Sequence, residues 1–224
     1  MSAEIRLLKG MIREFEEEMV WGFFGIKDDS IHHLRLGFYT GDIFTQQPTL
    51  DRDVMPVLEQ LRAIRPTVIS LAFDPEGSGP DTHYKVLQTI AEAVREWGKE
   101  EDLSNLKIWG YRNVWFRFLP SEATHIVPVS LNAMGVFDNA FSNCYASQVN
   151  ASFPSYKLDG KFSDLAKRIW VDQLSQVQRV LGKPFFYQNE SPRIRTTHGL
   201  LFFKEMTAAE FLDSARELQK SVGG

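Results

Sequence analysis

The sequence predicts an α/β domain with a mostly parallel sheet flanked by helices. Three observations carry the prediction. Residues 67–73 (TVISLAF) are a continuous apolar, β-branched run, the pattern of a strand buried on both faces. Strand candidates alternate with helix candidates long enough to cross back over a sheet. Hydrophobic residues make up 43% of the 224 residues, enough for one sizeable core.

The elements follow in order. Ile5, Leu8, Ile12, Phe15, Met19 and Phe23 recur at spacings of three and four, which predicts a helix over 3–24, stopped by Gly25. Residues 33–39 (HLRLGFY) alternate as a short strand would, and 41–48 form a loop. Val54, Val57, Leu58, Leu61 and Ile64 share one side of a helix over 51–64 that Pro66 ends. After the strand at 67–73 comes a polar loop, 74–81, then a helix over 82–97. Strands follow at 106–111 and, more weakly, at 126–129. Helices are predicted over 130–148 and 162–181. Residues 183–199 are the least regular stretch. A late strand over 200–204 leads to a final helix over 208–220, where Thr207 and Glu210 form a capping box. No repeat and no Pro-, Gly- or Ser-rich linker divides the chain. A single domain over 1–224 is expected, with 183–224 as an irregular tail plus a C-terminal helix.

Composition excludes several functions. Formal net charge is −4, with both signs interspersed, which argues against broad nucleic-acid binding. No apolar run reaches the length of a membrane span. The single cysteine, Cys144, excludes an internal disulfide and a paired-thiolate metal site, so any metal would rely on His, Asp or Glu. The N-terminal segment lacks the charge and apolar pattern of a secretory signal, and a cytoplasmic location is expected.

In a parallel sheet, ligands bind beyond the carboxyl ends of the strands. The segment after TVISLAF reads Asp74-Pro75-Glu76-Gly77-Ser78-Gly79-Pro80-Asp81-Thr82-His83. It places three carboxylates and an imidazole directly before a helix. His83 falls in that helix's first turn, a position suited to a metal ligand or an acid–base group. An ordinary polar loop with His83 on the surface fits the same pattern. Its two glycines lack the Gly-Lys-Ser/Thr of a phosphate-binding loop. Arg112 follows the strand at 106–111 and could fork onto a carboxylate or phosphate, or lie beside Trp115. His32 and His33 are adjacent and would face opposite ways on a strand. Glu16-Glu17-Glu18 reads as a solvated helix face, with Arg13 and Glu16 one turn apart as a local ion pair.

Three blocks of residues resemble the PIG-L/LmbE family of metal-dependent N-deacetylases. Arg13-x-x-Glu16 followed by Val20, Phe24 and Gly25 is similar to the family helix pattern R-x-x-E-x(3)-A-x(3)-L-G. Phe73-Asp74 and the loop ending in His83 resemble its strand–loop–helix that ends in a ligating His. Tyr145-x-Ser147-Gln148 resembles its H-x-S-Q motif. Leu36-Gly37-Phe38-Tyr39-Thr40-Gly41, Gly79-Pro80-Asp81-Thr82-His83 and Tyr111-Arg112-Asn113-Val114-Trp115 look like the deacetylase-like C-terminal domain of long bacterial glucosamine-6-phosphate deaminase-like proteins.

The resemblance implies a Rossmann-like fold, a divalent metal such as zinc, and N-acetylglucosamine-type amino sugars as substrate. It implies His83 as a metal ligand, Asp74 as its orienting partner, and Arg13 and Arg112 as sugar-binding groups. The departures are specific. The family's first strand and its His-Pro-Asp-Asp motif have no counterpart here, Pro80 stands where the family has a histidine, and Thr40 stands where many members have Asp. The expectation is an N-terminally incomplete deacetylase-like domain with little or no hydrolytic activity. Its sheet could be completed by an upstream domain or by a second copy. A non-catalytic carbohydrate-binding module, or a part of a deaminase-type protein, is the alternative.

Overall fold

The computed structural model describes residues 2–38, 45–74, 81–112, 117–151 and 160–223. By internal contact the chain forms two compact units. One comprises Met1–His33 with Ile126–Leu201, the other Leu34–His125 with Phe202–Gly224. The fold class is α/β, as predicted.

The second unit is built around α2 (Met55–Ile64), β1 (Val68–Ala72), α3 (Asp81–Trp97), β2 (Lys107–Tyr111) and α8 (Ala208–Gly223). β1 and β2 pair in parallel, Val68 opposite Lys107 and Ala72 opposite Tyr111, with α3 as the crossover between them. β4 (Gly199–Thr207) then joins β2 antiparallel, Lys107 opposite Thr207. With β3 (His125–Val129), the strand order is β1-β2-β4-β3. The sheet is therefore mixed rather than mostly parallel. β4 follows two short helices, α6 (Lys183–Tyr187) and α7 (Pro192–Arg195), instead of a crossover helix that would return it parallel. Leu58, Leu87, Val94, Ile108, Met206 and Phe211 form the apolar core of this unit. The capping box holds as predicted: the Glu210 carboxylate accepts from Thr207 N–H at 2.7 Å, and Thr207 Oγ1 accepts from Glu210 N–H at 3.2 Å.

Two local expectations are corrected here. The apolar run over 67–73 is an edge strand. It pairs only with β2 among the described residues, and one face is open: Val68 is 42% exposed, while Ile69 and Leu71 pack on the core. The strand expected over 33–39 does not form in its described part, 33–38. Arg35 adopts a left-handed φ of 49°, and Gly37 N–H donates to the Asp53 carboxylate at 2.7 Å instead of to a strand partner. Asp53 is fully buried and also accepts from Thr49 N–H and the Arg52 guanidinium. Burial opposes its charge, but these hydrogen bonds outweigh that and hold its pKa below the usual carboxylate value. A Cβ at position 37 would collide with the Arg52 side chain and force it to move from the Asp53 carboxylate.

The first unit contains α1 (Ala3–Phe23), α4 (Leu131–Cys144) and α5 (Phe162–Leu181). The Ser2 side chain caps α1, and Gly25, at φ 82°, follows its end. The predicted apolar stripe of α1 stays exposed at Ile5, Leu8, Ile12 and Phe15, and the buried residue of the helix is Glu16. α4 ends at Cys144, short of the expected 148. Phe137 packs on Trp170 and Phe141 stacks on Phe162, which ties α4 to α5.

Candidate functional site

β1 carries the chain to Asp74, and α3 begins at Asp81, so His83 lies in the first turn of that helix. Residues 75–80, with Glu76, the two glycines and Pro80, lie outside the described residues, as do Thr40 and 113–116. Across that gap, His83 Nδ1 and Asp74 Oδ2 are 2.9 Å apart. Asp74 is buried, while the His83 side chain is 29% exposed. A buried carboxylate against one ring nitrogen fixes the ring's orientation and favours a proton on that nitrogen. With its orientation held in this way, the ring is chemically suited to proton transfer or to ligation through a ring nitrogen.

Arg112 does fork onto a carboxylate, but one of its own unit. Both terminal nitrogens lie 3.3 Å from Glu122 oxygens. The guanidinium also donates to the Phe73 and Arg117 carbonyls and lies 4.2 Å above the Phe118 ring. Its hydrogen-bonding capacity is thus largely committed to holding the strand ends.

Arg13 belongs to the other unit. It lies 3.6 Å from Glu16 and is half exposed. The glutamate run is not a solvated face. Glu16 is 3% exposed, and its two oxygens accept from Ser147 N–H at 2.7 Å and Ser147 Oγ at 2.8 Å. Tyr145 Oη donates to Glu17 at 2.6 Å, and His33 Nε2 lies 3.1 Å from Glu18. Burial and the Glu17 carboxylate push the Tyr145 phenol well above its ordinary pKa, so it stays a donor. The two motif blocks that resemble R-x-x-E and H-x-S-Q are thus joined by Glu16 and Ser147. The periodicity carried no signal for this burial, since the stripe residues Ile12 and Phe15 beside Glu16 are themselves exposed.

A catalytic zinc needs about three protein ligands. No group of three or more His, Cys, Asp or Glu side chains is placed to hold a metal among the described residues. Asp74 and His83 alone do not make that site. Among the described residues, no helix is long and apolar enough to cross a membrane.

Comparison with known proteins gives one informative similarity. No family model and no solved structure matches the sequence. The chain is similar to a glucosamine-6-phosphate deaminase-like protein of Bacteroides thetaiotaomicron, 29% identical over 158 residues. The match covers 68% of this chain and 23% of that protein, so the chain corresponds to less than a quarter of its relative's length.

Proposed function

We propose that this chain is an amino-sugar domain of N-deacetylase type, in which Asp74 and His83 form the functional pair. The observation that carries this reading is the 2.9 Å contact between a buried carboxylate and a part-exposed imidazole just beyond the end of β1. The resemblance supplies the substrate class, N-acetylglucosamine-type sugars. The similarity to a glucosamine-6-phosphate deaminase-like protein supports the same class of small molecule. His83 would offer its outer nitrogen to a metal or to the sugar's acetamide, with Asp74 holding the ring. A divalent metal would need ligands beyond the described residues, and hydrolysis by this chain alone is expected to be weak. Cytoplasmic placement and assembly with an upstream domain or a second copy belong to the same proposal.

The test combines binding and turnover. N-acetylglucosamine and its 6-phosphate are titrated against the protein, and acetate release is followed with zinc present. The reading expects His83→Ala to weaken sugar binding by about tenfold, equivalent to about 1.4 kcal/mol. It expects acetate release far below the roughly 1–1,000 per second of ordinary enzymes. Binding unchanged by His83→Ala removes the pair from the site, and turnover in the ordinary range contradicts the expectation of weak hydrolysis. A second reading, a part of a deaminase-type protein that acts with the remainder of such a chain, is favoured by the relative's name and length.

A further inference from the structure

A separate cavity of about 430 Å³ lies in the second unit, between the segment leading into α2, one face of α3 and the end of α8. This volume falls in the range of small-molecule sites. Its lining mixes polar residues, among them Thr49, Tyr84, Gln88, Thr89 and Gln219, with the apolar Pro48, Leu50 and Val54. Thr89 is 1% exposed, and its hydroxyl meets no hydrogen-bond partner among the described residues. A helical threonine usually returns its hydroxyl to the carbonyl one turn back. A buried hydroxyl that forgoes this carries an uncompensated cost unless something else satisfies it.

The charges of the lining cancel within the protein. Lys85 is buried and donates to the Thr45 carbonyl at 2.9 Å, to Thr45 Oγ1 and to Asp81 at 2.7 Å. Its three protons are therefore placed. Glu92 pairs with Arg95. Gln88 Nε2 is fixed on the Ala215 carbonyl at 2.9 Å, which sets the orientation of its amide. Burial, aided by the nearby Asp81, pushes the Tyr84 phenol above its ordinary pKa, so it stays a neutral donor. What is left for a ligand is a set of neutral hydroxyls and amides around an apolar wall, with neither an anion nor a cation to match.

We propose that this cavity binds a neutral, hydroxyl-rich small molecule, a saccharide, with Thr89 as its buried hydrogen-bonding anchor. The site is independent of the Asp74–His83 reading and needs no metal.

The probes are N-acetylglucosamine and methyl β-glucoside, with glucosamine and glucosamine 6-phosphate as charged controls. They are titrated against the whole chain in the presence of EDTA and followed by amide chemical shifts. The expected result is saturable shifts at Tyr84, Gln88, Thr89 and Gln219 with the neutral sugars. Thr89→Val should weaken binding at least tenfold while its melting temperature stays level or rises, because it removes an unpaired buried hydroxyl. Leu50→Trp, at an exposed position on the wall, should block binding without touching the core. His83→Ala should leave these shifts unchanged. The proposal is overturned by no saturation at Tyr84, Gln88, Thr89 and Gln219 with either neutral sugar, by full affinity of that response in both Thr89→Val and Leu50→Trp, by its loss in His83→Ala, or by a tighter response of the same four residues to a charged control.

Discussion

The Glu16 cluster and the Asp74–His83 pair both come from residues that resemble deacetylase motifs, and each has a buried carboxylate at its centre. They use it differently. Glu16 places both oxygens on one residue, Ser147, and stays almost wholly buried, with Arg13 beside it. Asp74 is buried too, but the imidazole it holds keeps nearly a third of its side-chain surface exposed. A carboxylate that is itself buried and spends both oxygens on a backbone N–H and a hydroxyl distant in sequence fixes the fold. One that orients an accessible titratable ring prepares it for chemistry. Motif membership alone does not separate these roles; partner and exposure do.

Substitutions can break or sharpen that contrast, and stability measured by urea unfolding is the readout. Asp53, in the same unit as His83, is the control for a purely structural carboxylate. Asp53→Ala strands two backbone N–H groups and a guanidinium and should cost about 4 kcal/mol. Glu16→Ala should cost about 3 kcal/mol, because two Ser147 donors lose a charged acceptor. Tyr145→Phe removes a single bond to Glu17 and should cost about 1 kcal/mol. His83→Asn, which keeps an N–H donor beside the buried Asp74 carboxylate, should change stability by less than about 0.5 kcal/mol. A loss at His83 as large as that at Glu16 would erase the distinction.

Acid unfolding sharpens it further. The folded-state pKa of Asp53 lies below its ordinary value of 3.8. The stabilisation from its charge is therefore complete above that value and is lost as pH falls through the lower, folded one. Asp53→Asn should flatten the stability profile below about pH 4, while an acid limb as steep as the wild type's would show that other groups carry it.

Much of the helical framework was legible because it rests on local signals. The stripe spacing and Gly25 set α1, and Thr207 with Glu210 set the start of α8. The 20-residue span of α5 also follows from periodicity alone. Pairing direction was legible for β1 and β2, joined by the α3 crossover, but not for β4. The parallel expectation assumed that every strand is reached by a crossover helix, and 183–199 instead form two short helices before β4. The double burial expected of β1 failed for a related reason: an apolar run does not reveal whether a neighbour lies on both sides. At the site, the pairing of Asp74 with His83 was an expectation from the family resemblance, and the two side chains lie 2.9 Å apart. The engagement of Arg112 by Glu122 was not, since the two lie ten positions apart in sequence with no periodic pattern linking them. Thr89 gave no signal at all, because an unpaired hydroxyl is visible only once its surroundings are.

The most direct test follows the His83 imidazole itself, by nitrogen-resolved ring signals, as N-acetylglucosamine is added. The account predicts that the His83 signals shift and saturate, that those of His125 and His198 hold still, and that Asp74→Asn weakens the response. Unmoved His83 signals at concentrations where the sugar is otherwise seen to bind would contradict it.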